Sequence, residues 1–276
     1  MGAPLLMLNS GAGMPQIGLG TWPMNDAEVA DAVVSAIQVG YRHFDTALAY
    51  GNEAGVAEGV RRSGIDRAEV FITTKLNGDF QGEDRAIAGL QASLDRMRLD
   101  YVDLLLIHWP LPARGQFVST WHTFEQLYHQ GRARSIGVSN FKAEHLATLA
   151  QHASVAPAVN QIQLNPYITR DQQRHYGTEH AVTTVAWSPL GGDGARILQN
   201  ATVADIAQRI GRSVGQVVLR WHVQRGWAAV PKSANPARLA ENLAVFDFAL
   251  SDADMAALNA LSRGPDAGVD SDQAGH

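Results

Sequence analysis

The sequence predicts a (β/α)8 TIM barrel with an N-terminal hairpin and an extra C-terminal helix and tail. Short apolar runs alternate with stretches of helical periodicity through the 276 residues, which is typical of α/β folds. The run VDLLLI, residues 102–107, is apolar at almost every position, as in a strand buried on both faces of a parallel sheet. No linker divides the chain, so we expect one domain over residues 1–276.

A doubly wound sheet is the alternative α/β architecture. Such a sheet normally carries a G-x-G-x-x-G turn after its first strand. Here Gly18-Leu19-Gly20 continues as Thr-Trp-Pro and lacks the third glycine. The barrel is therefore the preferred interpretation.

Local signals justify the elements in chain order. Residues 5–8 and 14–17 flank a glycine-containing loop and predict the hairpin. Asn25 and Glu28 predict a capping box for the first helix, and Gly40 its end. Barrel strands are expected at residues 17–20, 42–45, 70–74, 102–107, 135–138, 158–162, 183–187 and 228–231. Helices are expected at residues 26–39, 53–62, 83–97, around 121–127 with a stop at Gly131, and at 143–151, 170–180, 203–210, 214–224 and 236–244. A terminal helix is expected to begin with Ser251 as N-cap and to bury Met255, Leu258 and Leu261.

Composition excludes several classes of function. The net charge is −5 and no basic run stands out, which argues against a nucleic-acid partner. The absence of cysteine excludes disulfides and thiolate catalysis, and it favours a cytoplasmic location. The N-terminus is too short and too interrupted for a signal peptide or a membrane span. We expect a monomer, and we expect the polar tail from Gly264 to be loosely held.

The predicted strands end in polar or aromatic residues that are suited to binding. Active sites of (β/α)8 barrels lie at the C-terminal ends of the strands, so these residues should converge. In strand order they are Thr21-Trp22, Asp45, Lys75, His108, Ser139-Asn140, Gln161, Trp187 and Lys232.

Four residues at this edge form a candidate proton-transfer set: Asp45, Tyr50, Lys75 and His108. A phenol has an ordinary pKa of ~10, and a nearby lysine held by an aspartate should lower it. A neutral His108 would orient a substrate oxygen. Taken alone, Asp45 and Lys75 are also consistent with a structural ion pair between neighbouring strands.

A metal site is the alternative use of this edge. His43 and Asp45 alternate along one strand, and His108 would be a third ligand. The later strand ends offer Asn, Gln, Trp and Lys, which are poor ligands, so we expect no metal.

The last strand and the turn after Trp187 suggest a dinucleotide site. Lys232, Ser233 and Arg238 surround a predicted helix start, which favours phosphate. The indole of Trp187 would support a nicotinamide ring, and Ser139, Asn140 and Gln161 would hold its carboxamide.

The motifs resemble those of the aldo-keto reductases, and especially of the bacterial branch that includes 2,5-diketo-D-gluconate reductases. The resemblance covers nearly the whole chain. It is carried by the motifs GLGTW, GYRHFDTALAYGNE, FITTKL, VDLLLIHWP, SIGVSNF, VNQIQLNPY and PKSANPARLAEN.

The resemblance implies a (β/α)8 barrel that reduces aldehydes and ketones with NADPH. It implies that Asp45, Tyr50, Lys75 and His108 form the catalytic tetrad. The implied cofactor contacts are Ser139, Asn140, Gln161, Trp187, Ser188, Leu190, Gly191, Lys232, Ser233, Asn235, Arg238, Glu241 and Asn242. The implied substrate contacts are Trp22, Trp109 and Asn77.

Two departures from the branch affect these expectations. Relatives often have Trp soon after the catalytic lysine, where this chain has Asn77, so one pocket wall should be wider or more polar. Diketogluconate reductases often have a second Arg in the phosphate clamp, where this chain has Asn235, so the implied preference for NADPH over NADH is weaker. The loop after Trp109 and the C-terminal tail are short and hold few large apolar groups. Because substrate specificity in this family depends on these loops, the resemblance does not imply a particular substrate.

The sequence therefore predicts an NADPH-dependent reductase of small aldehydes, dicarbonyls or keto sugars, with Tyr50 as general acid. The alternative is a barrel that binds NADPH as a sensor or structural protein without catalysis. The complete tetrad favours the enzyme, since a sensor does not need a proton donor.

Overall fold

The computed structural model describes residues 2–192 and 196–275. Within these residues it contains a β-hairpin, an eight-stranded parallel sheet and ten α-helices. The hairpin strands are β1 (Leu5–Met7) and β2 (Gly13–Pro15), and the sheet strands are β3 (Leu19–Gly20), β4 (His43–Asp45), β5 (Phe71–Leu76), β6 (Leu104–Ile107), β7 (Ile136–Ser139), β8 (Val159–Gln163), β9 (Thr183–Trp187) and β10 (Ala228–Ala229). The helices are α1 (Asp26–Val39), α2 (Glu53–Ser63), α3 (Glu83–Met97), α4 (Phe117–His129), α5 (Ala143–Ala150), α6 (Asp171–Glu179), α7 (Ala201–Ile210), α8 (Val214–Gln224), α9 (Pro236–Leu243) and α10 (Asp252–Asn259).

The sheet closes on itself, which confirms the predicted barrel. Its strands pair in chain order from β3 to β10. At the seam Gly18 N donates to Ala229 O and Ala229 N donates to Gln16 O, each at 2.9 Å. A Cβ on Gly20 would lie only 2.5 Å from the Val230 carbonyl oxygen. The close approach of the two backbones at the seam therefore requires glycine.

Local capping signals set several helix ends, as predicted. Asn25 and Glu28 form a reciprocal capping box at α1, and Gly40 ends that helix with a φ of 109°. Ser251 and Asp254 form the corresponding box at α10. These short-range signals are readable from sequence because both partners lie within one helical turn.

The hairpin covers the N-terminal end of the barrel. Leu8 and Met14 of this region are buried. They belong to an apolar cluster inside the barrel with Phe71, Leu104, Leu106, Ala158, Val159, Val185, Ala228 and Val230. A second and larger core lies between the sheet and the surrounding helices. The filled N-terminal end leaves the opposite end of the barrel for a site.

The tail after α10 is anchored, so the expectation of a loosely held tail is wrong. Gln163 Oε1 accepts a hydrogen bond from Val269 N at 2.8 Å, and Arg170 donates to Val269 O at 2.7 Å. Lys142 Nζ lies 2.7 Å from an oxygen of Asp270. Polar composition misled the prediction because the polar groups of the tail bind polar groups of the barrel edge.

The end of the tail reaches the mouth of the barrel. A Cβ on Gly275 would lie 2.9 Å from Trp109 Cβ and 2.8 Å from Leu111 Cδ2. The tail therefore packs against the loop that follows β6. Within the described ranges, no helix has the length and hydropathy needed to cross a bilayer.

Candidate active site

Three strands and one short turn bring the predicted tetrad together at the mouth of the barrel. Asp45 ends β4, Lys75 lies near the end of β5, and His108 directly follows β6. Their exposed fractions are 3%, 1% and 5%. Tyr50 ends the 3-10 turn Leu48–Tyr50, which Gly51 terminates with a φ of 67°. The turn brings the phenol back over the strand ends.

The ammonium group of Lys75 is fully hydrogen-bonded. It donates to Asp45 Oδ1 at 2.6 Å, to Thr46 O at 2.9 Å and to Tyr50 Oη at 3.3 Å. An ammonium group has three donors, so every donor of Lys75 has a partner. Two of these partners fix the lysine, and the third is the candidate proton donor.

Burial and neighbouring charges act in opposite directions on Tyr50. Burial raises the pKa of Tyr50, the charge of Lys75 lowers it in part, and Asp45 raises it again. Lys75 lowers the pKa of Tyr50, as predicted, but burial outweighs it and the net pKa lies above the ordinary value. The prediction weighed the cation but omitted desolvation of the phenolate. Tyr50 therefore keeps its proton at neutral pH.

Lys75 stays positively charged in the same site. Burial alone would lower its pKa, but Asp45 and Tyr50 more than offset that effect and raise the pKa above its usual value. The lysine can therefore stabilise a phenolate at Tyr50 once a proton has left it.

Gln161, on β8, connects Asp45 of the tetrad to Ser139 at the end of β7. Its Nε2 donates to Asp45 Oδ2 at 2.6 Å, so both oxygens of the buried carboxylate have a partner. Ser139 Oγ donates to the backbone oxygen of Gln161 at 2.9 Å. Two residues predicted to contact the cofactor are thus in or next to the tetrad network.

Asn140 joins His108 to Trp187. Its Nδ2 donates to His108 O at 3.0 Å and to Ser139 Oγ at 3.1 Å. Its Oδ1 accepts from Trp187 Nε1 at 2.8 Å, which sets the orientation of the half-buried indole. The predicted nicotinamide platform and the tetrad therefore form one connected region.

Aromatic rings cluster around the ring of Tyr50 at the mouth. The centroid of the Trp22 ring lies 5.3 Å from that of Tyr50, and the His108 centroid lies 5.7 Å away, edge-on. Trp109 stacks near His108 at 6.2 Å. Trp22 is 59% exposed, which gives the mouth an open apolar surface.

The loop after β5 contains Asn77, the predicted substrate contact. Asn77 Oδ1 accepts from Gly78 N at 2.9 Å and caps the turn Gly78–Phe80. The side chain is therefore bonded within its own loop. Gln81, which is fully buried, donates from Nε2 to Trp109 O at 2.7 Å. Gln81 thus fixes the backbone beside the tetrad, a role that sequence reasoning did not anticipate.

The start of α9 carries the predicted phosphate donors. Asn235 caps this helix by accepting from Arg238 N at 3.1 Å, and the buried Ser233 accepts from Asn235 N at 3.1 Å. Lys232 and Arg238 are exposed. Two solvent-facing cations beside a capped helix start fit a phosphate group.

The turn after β9 is compact. Ser188 has a φ of 47°, and its carbonyl oxygen accepts from Gly191 N at 2.9 Å. A Cβ on Gly192 would lie 3.0 Å from Ser188 Oγ, so a side chain there would crowd the turn. Leu190 is half-buried. The backbone of this turn can therefore pass close to a bound group.

The last two predicted cofactor contacts lie on α9. The Glu241 carboxylate accepts a hydrogen bond from Ser213, the N-cap residue of α8. Asn242 is buried at 6% exposure. The contact with Ser213 also gives Glu241 a structural role between two helices.

The alternative metal set is not assembled at the mouth. Both ring nitrogens of His43 have protein partners, Pro15 O at 3.2 Å and Thr73 Oγ1 at 3.1 Å. Among the described residues, the group that could hold a metal ion is Glu144, His145 and Asp272, beside the tail.

That group is better explained by protein contacts. His145 Nδ1 accepts from Lys142 N at 3.2 Å, so the ring proton belongs on Nε2, which lies 3.1 Å from Asp272. Burial lowers the pKa of His145 and Asp272 raises it in part, with a net lowering. A neutral ring that donates from Nε2 has no lone pair there for a metal.

Sequence reasoning missed three buried residues around the site. Thr46 binds Lys75 through its carbonyl oxygen, Asn52 lies two residues after Tyr50, and Gln81 binds Trp109. Thr46 and Asn52 stand within the motif GYRHFDTALAYGNE, which could have drawn attention to them. Gln81 carries no comparable signal.

The barrel and this mouth define a class of protein, and comparison with known proteins gives the same class. The Aldo/keto reductase family model matches residues 11–263. The chain is 46% identical to morphine 6-dehydrogenase of Pseudomonas putida, covering 97% of this chain and 94% of that one. It is 40% identical to methylglyoxal reductase DkgA of Escherichia coli O157:H7, covering 98% of each chain.

A solved structure shows the same similarity in three dimensions. A variant of the protein Gox0644, solved in complex with NADPH, superposes with a TM-score of 0.94 at 41% identity and full coverage of both chains. The chain belongs to the aldo/keto reductase family.

Proposed function

We propose that this protein uses NADPH to reduce small aldehydes, dicarbonyls or keto sugars to alcohols, with Tyr50 as the general acid. The observation that carries the proposal is the chain of contacts from Asp45 through Lys75 to the Tyr50 hydroxyl at an open barrel mouth. The relative named methylglyoxal reductase supports a small dicarbonyl as substrate, and the NADPH complex of Gox0644 supports the cofactor.

Each residue of the tetrad has one task in this reaction. NADPH, when bound, supplies the hydride that reaches the carbonyl carbon. Tyr50 gives its proton to the carbonyl oxygen, and Lys75 stabilises the phenolate that remains. Asp45 holds Lys75 in place at 2.6 Å. His108 orients the carbonyl oxygen toward the phenol.

The residues around the tetrad fit the cofactor by their chemistry. Trp187 would support the nicotinamide ring, because Asn140 fixes its indole. Ser139 and Gln161, which lie beside the tetrad, would contact the carboxamide. The remaining proposed contacts are Asn140, Ser188, Leu190, Gly191, Lys232, Ser233, Asn235, Arg238, Glu241 and Asn242.

The substrate would lie between Trp22 and Trp109, with Asn77 near one wall. The two indoles provide apolar surface, and Trp22 is 59% exposed. We also propose that the chain acts as a single-domain cytoplasmic monomer without a nucleic-acid partner. The absence of cysteine supports the cytoplasmic location, and the net charge of −5 supports the absence of a nucleic-acid partner.

Removal of the Tyr50 hydroxyl tests the proposed acid. In Tyr50→Phe, turnover of methylglyoxal and phenylglyoxal should fall by about 10²- to 10⁴-fold, the usual contribution of a general acid. The measurement is NADPH oxidation at saturating substrate, with NADPH affinity as the control. Undiminished turnover would contradict the assignment of Tyr50. Wild-type protein that binds NADPH but reduces no carbonyl in a broad panel would favour the sensor instead.

Removal of Arg238 tests the proposed phosphate clamp. A charge-assisted hydrogen bond contributes ~1.5–3 kcal/mol, which corresponds to roughly ten- to a hundredfold in affinity. In Arg238→Ala the affinity for NADPH should fall by that factor, while the affinity for NADH should barely change. Equal losses for both nucleotides would show that Arg238 does not read the 2′-phosphate.

A further inference from the structure

Asn52 occupies a helix N-cap position but does not cap the helix. It precedes α2, and its side chain makes no capping hydrogen bond. Asparagine is among the preferred N-cap residues because its side chain usually accepts from the first turn. The side chain is fully buried. Its amide must therefore be used elsewhere, since a buried amide without partners is costly.

The amide of Asn52 joins three segments of the barrel mouth. Nδ2 donates to Thr21 O at 3.2 Å and to Met24 O at 2.8 Å, both in the segment after β3. Oδ1 accepts from Thr46 Oγ1, after β4, at 2.7 Å. Asn52 itself follows the turn that carries Tyr50. Both donors and the acceptor of the amide are thus in use.

Two of the partners of Asn52, Thr46 and Thr21, also hold the Asp45–Lys75 pair in place. Thr46 O accepts from Lys75 Nζ at 2.9 Å. Thr21 donates to Asp45 O from its backbone N at 3.1 Å and from its hydroxyl at 2.9 Å. One side chain therefore connects the turn of Tyr50 to the backbone that fixes the ion pair.

This connection matters because the contact between the phenol and the cation is long. Tyr50 Oη lies 3.3 Å from Lys75 Nζ, near the outer limit of a hydrogen bond. Besides Lys75, the charged or titratable groups that face Tyr50 among the described residues are Asp45 and His108. A small outward displacement of the turn would therefore break the hydrogen bond between Tyr50 and Lys75.

We propose that Asn52 is a positioning residue that holds the Tyr50 hydroxyl against Lys75 Nζ. The proposal rests on the proposed function, in which Tyr50 donates the proton. Asn52 does not itself contact the reacting atoms in this scheme. Its amide sets the distance between two residues that do.

Two substitutions test the proposal at different points of the connection. Asn52→Asp replaces the donor to two carbonyl oxygens with a carboxylate, and Thr46→Val removes the hydroxyl that donates to Asn52 while keeping the carbonyl oxygen that binds Lys75. If Asn52→Asp does not fold, Thr46→Val still tests the connection. The control is Ser251→Ala, which removes the N-cap of α10 and leaves every group that bonds to Asn52 in place.

In both test variants kcat should fall about ten- to hundredfold, while KM and NADPH affinity change by less than about threefold. The phenolate absorbance of Tyr50, isolated by subtracting the titration of Tyr50→Phe, should shift to higher pH because Lys75 lies farther away. Ser251→Ala should lose stability but keep the kcat and the Tyr50 titration of the wild type.

Folded variants with wild-type kcat and an unchanged Tyr50 titration would overturn the positioning role. An equal loss of kcat in Ser251→Ala would also overturn it, because general destabilisation would then explain the effect. Full turnover in Tyr50→Phe would instead refute the proposed function. The two failures are therefore distinguishable.

Discussion

The two ends of the barrel each bury an aspartate beside cations and a tyrosine, but the geometry differs. At the N-terminal end, Asp103 lies 2.7 Å from Arg67 and 3.4 Å from Arg134. Both guanidinium groups lie over the Tyr101 ring, at 4.3 Å and 3.9 Å from its centroid. Asp103 also accepts from Ile72 N at 2.9 Å. This cluster holds the N-terminal ends of neighbouring strands together.

At the mouth, the cation also reaches the phenol oxygen. Lys75 Nζ lies 2.6 Å from Asp45 and 3.3 Å from Tyr50 Oη. The Lys75 side chain is 1% exposed, whereas Arg67 and Arg134 at the other end are 18% and 48% exposed. A charge at the mouth is therefore less screened by water and interacts more strongly with the phenol. A cation over a ring stabilises the fold, while in the proposed function a buried cation at a hydroxyl would also help to release its proton.

The largest effect is expected from Lys75→Met. Turnover should fall by about 10²- to 10⁴-fold, because the phenolate of Tyr50 would lose its counter-charge. Unfolding free energy should also fall, by up to ~3–5 kcal/mol, because Asp45 would remain buried without its cation. Steady-state kinetics and urea unfolding measure the two effects. Wild-type turnover in a folded variant would show that the Asp45–Lys75 pair has only a structural role.

A smaller effect, on stability alone, is expected from Asp103→Asn at the other end. The substitution weakens the contacts with Arg67 and Arg134 but retains an acceptor for Ile72 N. Since both arginines can reach water, the loss in unfolding free energy should be about 1–3 kcal/mol. The kcat of the folded protein should stay within about twofold of wild type. A tenfold fall in kcat would show that the two ends are coupled.

The smallest effect is expected at the tail that borders the mouth. Asp272→Asn removes one partner of Lys142 and His145. Ion pairs near the surface contribute about 0–1 kcal/mol, so global stability should barely change. Amide exchange at Val269, measured by hydrogen–deuterium exchange, should increase by about two- to fivefold, and added salt should produce part of the same increase in wild type. Unchanged exchange would show that backbone contacts alone hold the tail.

Local sequence determined most of the fold. Alternating apolar runs and helical periodicity predicted the barrel, and caps such as the Asn25–Glu28 box predicted helix ends. The residue types at the strand ends, including Asp45, Lys75 and His108, predicted which side chains converge. The prediction holds because every parallel strand of a barrel brings its last residues to the same end. These inferences succeed because each depends on residues that are close in sequence or on a symmetry of the fold.

Only the tertiary structure decided how the amide side chains are used. Asn25 and Asn52 both precede helices, yet one caps its helix and the other joins three segments of the mouth. The tail is polar, yet it is anchored across the barrel edge. An amide or carboxylate can bind almost any polar partner, so its choice depends on which distant groups the fold brings near it. The raised pKa of Tyr50 has the same origin, since burial is a property of the assembled mouth rather than of the motif.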